Sequence, residues 1–290
     1  MVTDVMVNGL PGKMATIIAQ EIIDQPEKYD ISTMALTGPN QPEAVFFKDK
    51  KGKNKTVNIT HKEQKGTLQL HAPTDKRTVY VVEACKGEGV ADKNAAMYCE
   101  NNIPFVMLST GAQDDYANIR KLAEESKTPC VAYPNMDVRL IAWMAGIRHM
   151  AKEYPGAFET SLIQLSETHQ ADKVNSNGEP ETSGTMKKML SDLSSLAKRE
   201  IAIGDVLSVR GQLQQTDLFR VPEEWLGWHA YHVFKIANKH DGVDDSEELI
   251  FKRHGGDSYK QGAMKALDFL IQGKNTKYFN TMDDVLKDGN

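Results

Sequence analysis

Cysteine is scarce in this chain. The three present, Cys85, Cys99 and Cys130, form no C-x-x-C pair and leave an odd count. That argues against a zinc site and for a reducing compartment. Long apolar runs are missing as well, since none reaches the roughly 20 residues that a membrane helix needs. The chain opens MVTDVMVNGLPGK, so a strand is expected almost at once and no signal or transit peptide is expected. The expectation is a cytoplasmic protein, with a processed organellar form as the other option. An excess of positive charge is also missing. A net charge of −5 gives no reason to expect a nucleic-acid partner. The one basic run, Lys48, Lys50, Lys51, Lys53 and Lys55 around Gly52 and Asn54, reads as a solvated loop or hairpin tip. There are no internal repeats and no low-complexity tract.

What is present is ordinary for a globular protein: 290 residues, 40% hydrophobic and 26% charged. That length allows two domains or one large α/β domain. Strand-like runs at residues 4–7, 31–36, 79–84, 105–108 and 130–133 alternate with helix-like runs after residue 14, at 91–100 and at 114–125. Alternation of this kind predicts a parallel, Rossmann-like α/β sheet. Residues 43–78 interrupt it with a polar excursion, read as a hairpin. After Pro134 the character changes. An amphipathic helix over 138–152 stops at Tyr154-Pro155-Gly156, because proline cannot continue a helix. Strand-like runs follow at 160–166, 206–213, 228–236 and 247–253, with one helix at 185–198 among them. This predicts an α+β domain with a mostly antiparallel sheet. A last helix at 262–271 is expected to return to the first domain. The domains are therefore placed at 1–134 with 263–290, for dinucleotide binding, and at 135–262, for substrate and oligomerisation.

Two places carry candidate chemistry. Gly9-x-x-Gly12-x-x-Ala15 joins the first strand to the first helix. Small residues there let backbone N–H groups and the positive end of a helix dipole approach a pyrophosphate. Lys13 adds a charge, and no Asp or Glu follows the second strand, where the chain reads Leu36-Thr37-Gly38. A 2′-phosphate is then not repelled, and Lys13 or the lysines at 48–55 could attract it. NADPH is the expected cofactor, with NADH the other option. The second place is LIQLSETHQADKVNSNGEPETSGT at 162–185. His169 and Lys173 lie four residues apart, and Thr182-Ser183-Gly184-Thr185 opens a helix. A helix start capped by Ser or Thr binds anions. Lys173 beside it could hold a carboxylate, while His169 could act as a general acid. His229 and His232 fall on opposite faces of a strand, so they read as structural rather than as a metal pair. No metal is expected. Asp283-Asp284 reads as a solvated helix start.

At these residues the chain resembles the dihydrodipicolinate reductase family, in its plant-type branch. The resemblance runs nearly end to end. It is carried by VMVNGLPGKM at 5–14, IPFVMLSTG at 103–111, PNM at 134–136 and EYPGAFETSLIQLSETHQADKV at 153–174. SGT at 183–185, VPEEWLGWHAYH at 221–232 and YFNTMDDVL at 278–286 complete it. The resemblance implies a homotetramer and hydride transfer from NAD(P)H to the ring of a small cyclic dicarboxylate. It implies that His169 donates a proton and that Lys173 assists and binds substrate. Ser183, Gly184 and Thr185 would hold a carboxylate. Gly9, Leu10, Pro11, Gly12, Lys13, Met14 and Thr37 would lie along the cofactor. Ala84, Thr110 and Gly111 would lie near the nicotinamide, with Asn135 and Met136 beside a hinge.

The chain also departs from the family pattern. Leu108-Ser109-Thr110-Gly111 stands where Gly-Thr-Thr-Gly is usual, and Glu83-Ala84-Cys85 where Asp, an aromatic and Thr are usual. The link VNSNGEPET after Lys173 is longer and more acidic. Glu179 and Glu181 would oppose a dicarboxylate unless they point outward. RHGGDSYKQG at 253–262 is shorter than usual and lacks an Arg after the His. Two functional readings follow. One is a reductase of 4-hydroxy-tetrahydrodipicolinate or of another cyclic imine or enamine. The other is a nucleotide-binding homologue without turnover.

Overall fold

The computed structural model describes the chain except for residues 1, 39, 62–77, 86–88, 110–115, 134, 175–176, 241–242, 275–276 and 289–290. Its contacts divide it into two units, Met1–Val138 with Asp257–Asn290, and Arg139–Gly256.

The first unit opens with β1 (Thr3–Asn8), whose last four residues are buried, and α1 (Lys13–Ile23). Ala15, Ile18, Ala19, Ile22 and Ile23 form the buried stripe of α1, at helical spacing. The run at 31–36, expected as one strand, is two: β2 (Tyr29–Ile31) and β3 (Met34–Thr37). The reason is local. The Ser32 amide still donates to Val5 O, but its hydroxyl accepts from the Met34 amide at 3.3 Å and turns the chain. The chain then leaves β1 and pairs with another sheet. That sheet contains β4 (Ala44–Lys48) and β5 (Asn54–His61), an antiparallel hairpin with β3 parallel on its far side. Its lysine-rich tip is a turn tied by Asp49, whose carboxylate accepts from the Lys51 and Lys53 amides at 2.9 and 2.8 Å. The alternation resumes with β6 (Val79–Glu83), α2 (Val90–Glu100), β7 (Phe105–Met107), α3 (Tyr116–Ser126) and β8 (Cys130–Ala132).

The second unit takes most of α4 (Val138–Glu153), then β9 (Leu162–His169), α5 (Gly184–Ala197), β10 (Val206–Val209), α6 (Gln212–Asp217), β11 (His229–His240) and β12 (Val243–His254). Its sheet order is β10-β9-β11-β12. β9–β11 and β11–β12 are antiparallel, and β10 lies parallel to β9. Leu165, Phe234 and Phe251 face a core closed by Leu140, Met144 and Ile147 of α4 and by Met186, Met189 and Leu193 of α5. The run expected as a strand over 206–213 ends at Val209. There the Gln215 side chain bonds to Arg210 O and to His169 O, and Gly211 caps the short helix that follows. The β11–β12 hairpin is longer than the apolar pattern indicated. Backbone pairing carries it through Asn238 and Asp245, which show no alternation of apolar residues.

The chain returns to the first unit through α7 (Asp257–Ile271), β13 (Phe279–Asn280) and α8 (Met282–Asp288). The parallel sheet then reads β13-β8-β7-β6-β1-β2. Tyr29 bonds Asp268 and Lys260 pairs with Glu21 at 2.9 Å, so α7 is tied to the β1–α1 end of that sheet. Asp284 accepts from the amide and hydroxyl of Thr281 and pairs with Lys277 at 2.8 Å, so the Asp283-Asp284 segment is a capped helix start. Among the described residues, no helix is long and apolar enough to cross a membrane.

Candidate functional site

The candidate substrate site is built on one face of the second sheet. Side chains directly opposite each other on paired strands share a face. Glu167 is opposite Ser208 on one side and His232 on the other. His169, two residues along β9, is on the same face. The Glu167 carboxylate is fully buried. Its Oε1 accepts from the Ser183 amide at 2.9 Å, from Arg210 Nη2 at 3.0 Å and from the Ser208 hydroxyl at 3.4 Å, and lies 3.7 Å from His169 Nδ1. Its Oε2 lies 3.6 Å from His232 Nε2. Ser183 caps α5, its hydroxyl accepting from the Met186 amide at 3.2 Å and lying 3.1 Å from His232 Nε2. The His169 and His232 rings meet edge to face at 5.1 Å.

This cluster is not saturated. Glu167 Oε2, His169 Nδ1 and His232 Nδ1 are buried with no hydrogen-bond partner among the described residues. Buried polar atoms are rarely left unpaired, and one on each of three neighbouring residues marks a place where ligand or water completes the set. The charges around them favour an anion. Burial raises the Glu167 carboxyl, but neighbouring groups outweigh it and hold it below its ordinary value, Arg210 and Lys173 among them. Burial pushes His169 well below the usual histidine range, and Lys173 pushes it further. Burial lowers the Lys173 amine to about 8, while Glu167 opposes that shift. Glu167, His169 and His232 are also metal-ligand types, with ligand atoms within 4.8 Å of one another. Two cationic side chains share that space, however, and like-charge repulsion disfavours a metal ion there.

His232 has a measurable signature. Burial lowers its pKa to about 4, despite the opposing pull of Glu167. The unfolded chain, near 6.5, therefore binds more protons than the folded one between those two values. Stability falls as pH drops through that window, by about 3 kcal/mol from this residue. Urea denaturation between pH 7 and 4 is expected to show this slope, and His232→Asn to reduce it.

The first unit holds the second candidate. Gly9 has φ +97°, and a Cβ there would lie 2.7 Å from the Ala84 carbonyl and 2.9 Å from Cys85 N. Gly12 closes the turn, its amide donating a hydrogen bond of 2.8 Å to Gly9 O, and a Cβ added there would lie 2.7 Å from that oxygen. α1 then opens with no capping side chain and no acidic residue in its first turn, as an anion-binding helix start requires. A buried network holds the strand ends in place. Asn8 accepts from the Leu36 amide at 2.8 Å and donates to Tyr98 at 2.7 Å. Tyr98 donates to Glu83, which also accepts from Asn94 at 2.8 Å and from the Cys85 amide at 2.7 Å. Gly9→Ala is expected to cost about 1–3 kcal/mol, since the left-handed backbone and the Ala84 carbonyl both oppose a Cβ. Gly38→Ala is the control, because nothing lies within 4 Å of a Cβ there. Thermal denaturation of the two variants should separate them clearly.

No protein-family model matches the chain. It is 29% identical over 300 residues to 4-hydroxy-tetrahydrodipicolinate reductase 2, chloroplastic, of Arabidopsis thaliana, covering 99% of this chain and 78% of that one. It is 27% identical over 290 residues to the probable 4-hydroxy-tetrahydrodipicolinate reductase 1, chloroplastic, of Oryza sativa subsp. japonica, covering 99% and 79%. The fold is shared with the dipicolinate-bound dihydrodipicolinate reductase from Paenisporosarcina sp. TG-14, at 16% identity and a TM-score of 0.59, over 97% of this chain and 98% of that one. Over nearly its whole length the chain is similar to members of the dihydrodipicolinate reductase family.

Within a dihydrodipicolinate reductase fold, the expected residues fall in two groups. His169, Lys173 and Ser183 gather around Glu167, with Gly184 and Thr185 opening α5. Gly9, Gly12, Lys13, Met14 and Ala84 gather at the first turn. Leu10 is fully buried and Thr37 nearly so, at 0% and 5% exposure, so they shape that turn from below. Asn135 and Met136 are buried, with Asn135 Oδ1 accepting from the Asp137 amide at 2.7 Å. Thr110 and Gly111 lie outside the described residues. Two expectations are corrected. The lysines at 48–55 do not sit by the ribose position. Thr37 is paired with His61, and the hairpin tip is at the other end of β5. Lys48 O instead meets Gln20, in the second half of α1, and Lys55 pairs with Asp30 at 3.5 Å. His232, read as structural, lies in the cluster around Glu167, against Ser183. Arg210 and Glu167 had no assigned role. Only β-sheet register, which brings His232 and Ser208 opposite Glu167, could have exposed them.

Proposed function

We propose that this protein reduces 4-hydroxy-tetrahydrodipicolinate, which loses its hydroxyl as water to give dihydrodipicolinate, to tetrahydrodipicolinate with NADPH, NADH being the alternative cofactor, in the diaminopimelate route to lysine. The observation that carries this reading is the gathering of Lys173, His169 and the capped start of α5 around Glu167, in a cluster that leaves three buried polar atoms unpaired. That arrangement suits a small, anionic, hydrogen-bonding ligand.

The first turn fits a dinucleotide. Gly9, Gly12, Lys13 and Met14 would hold the pyrophosphate, with Leu10 and Pro11 shaping the turn. Ala84, Thr110, Gly111, Asn135 and Met136 would serve the nicotinamide end. The absence of a carboxylate at Thr37-Gly38, with Lys13 opening α1, supports NADPH. When bound, the nicotinamide supplies a hydride.

The chain's own residues supply charge and a proton. The Lys173 ammonium, mostly protonated at neutral pH, and the α5 N-terminus hold a ring carboxylate. Ser183 contributes through its cap, since its hydroxyl is already engaged. Imidazole is neutral in the empty site. Substrate carboxylates bring the negative charge that raises it, so His169 takes up a proton on binding and delivers it to the ring as hydride arrives. The acidic insertion does not stand against this reading. Glu179 is exposed, and the Glu181 carboxylate pairs with Lys187 at 3.5 Å.

The homotetramer reading has support of its own. Leu162, Leu207 and Ile250 are 55%, 59% and 42% exposed. All three lie on the sheet face opposite Glu167, as an oligomer surface would. The substrate reading is tested with dipicolinate, the ligand of the Paenisporosarcina protein. Calorimetry is expected to show saturable binding that Lys173→Met weakens. Absence of heat at millimolar dipicolinate would remove the reading.

A further inference from the structure

The residues between Lys173 and Ser183 outnumber what a direct link needs, yet both ends of that link reach the same cluster. The structure shows how. Arg210 is 6% exposed, and its guanidinium spans the base of the loop. Its Nε donates to Lys173 O at 3.0 Å, and its Nη2 donates to Glu181 O and to Glu167 Oε1, the latter at 3.0 Å. Its Nη1 donates to Val209 O at 2.8 Å. The Glu181 amide also donates to Lys173 O at 3.3 Å, and Val174 and Pro180 form an antiparallel bridge. The loop is therefore pinched shut at its base. Arg210 spends its charge on Glu167 and its remaining donors on backbone carbonyls, so it has little left to offer a substrate.

We propose that Arg210 is a positioning residue that closes the base of the 173–181 loop and so keeps the Lys173 amine beside the anion site in spite of the extra residues. The proposal rests on the reading of Lys173 as a substrate-binding group. Only a planar fork can reach both carbonyls and a carboxylate together; a lysine ammonium replaces the charge but not that geometry.

A double-mutant cycle tests this. Arg210→Lys and deletion of residues 175–179 are made singly and together, and dipicolinate affinity is measured by calorimetry. Arg210→Lys keeps a positive charge beside Glu167, so the fold is expected to hold. In the full-length loop it should weaken dipicolinate about tenfold, the loss of a buried charge-assisted bond. In the shortened loop, where the covalent link does the clamp's task, the loss should be less than about twofold. Equal losses in both backgrounds would overturn the proposal, since Arg210 would then act only as the counterion of Glu167. No loss in either would overturn it as well.

If the wild-type protein does not bind dipicolinate, the proposed function fails and the positioning role is read on the amine itself. The pH dependence of Lys173 acetylation by acetic anhydride, followed by mass spectrometry, should have its midpoint at about 8 in the wild type. Arg210→Lys should move it toward ordinary lysine as the loop opens. An unchanged midpoint would overturn the proposal.

Discussion

His169→Gln is expected to lower kcat by roughly 10²- to 10⁴-fold, the usual contribution of a positioned general acid. Gln fills similar space and keeps a donor, so the fold and NADPH affinity should hold while proton delivery is lost. The pH profile adds a second reading. kcat/KM reports the free enzyme, in which Lys173 titrates at about 8. Substrate capture should therefore fall as pH rises through that value, because the ammonium proposed to hold the carboxylate is lost. Lys173→Met should remove that limb and leave a low, flat kcat/KM. In kcat, which reports the bound complex, the same limb should lie higher, because substrate carboxylates stabilise the protonated amine. Steady-state kinetics from pH 6 to 10 would check both. An unchanged kcat in His169→Gln would deny the acid role.

Glu167→Gln is expected to be the most destabilising single change in the second unit. The carboxylate and Arg210 are both buried, at 0% and 6% exposure. Removing one partner of such a pair typically costs about 3–5 kcal/mol, since the other charge is left without compensation. The Ser183 amide would also lose its acceptor if the Gln amide turned its nitrogen toward it. The double variant Glu167→Gln with Arg210→Met removes both charges and should recover part of the loss. Urea midpoints for the two would show it. A double variant no more stable than the single one would mean that the cost lies in lost shape rather than in an unpaired charge.

These two predictions differ in how far the sequence could have reached them. His169, Lys173 and the Ser183 cap share one short segment, so their chemistry was readable there. The alternation that builds the parallel sheet was readable too, because apolar strands and amphipathic helices each have their own period. What was not readable is long-range. Arg210 is 43 residues from Glu167, and nothing local tells a buried pair from two solvated charges. His232 joins the cluster because β11 pairs with β9 in one register; a shift by one residue would have turned it to the other face. The split of the second strand at Ser32 depends on β5 competing with β1 for β3, a tertiary choice. The lysine-rich tip is legible as a tip, but its distance from the ribose position follows only from the pairing of Thr37 with His61. The acidic insertion looked like an obstacle in sequence because its closure depends on Arg210.

The most direct measurement is NADPH absorbance after the product of dihydrodipicolinate synthase is added to the purified protein. The account predicts cofactor oxidation in proportion to the substrate supplied, abolished or nearly so by His169→Gln. NADPH that binds in calorimetry but is not consumed above background by that substrate would contradict it.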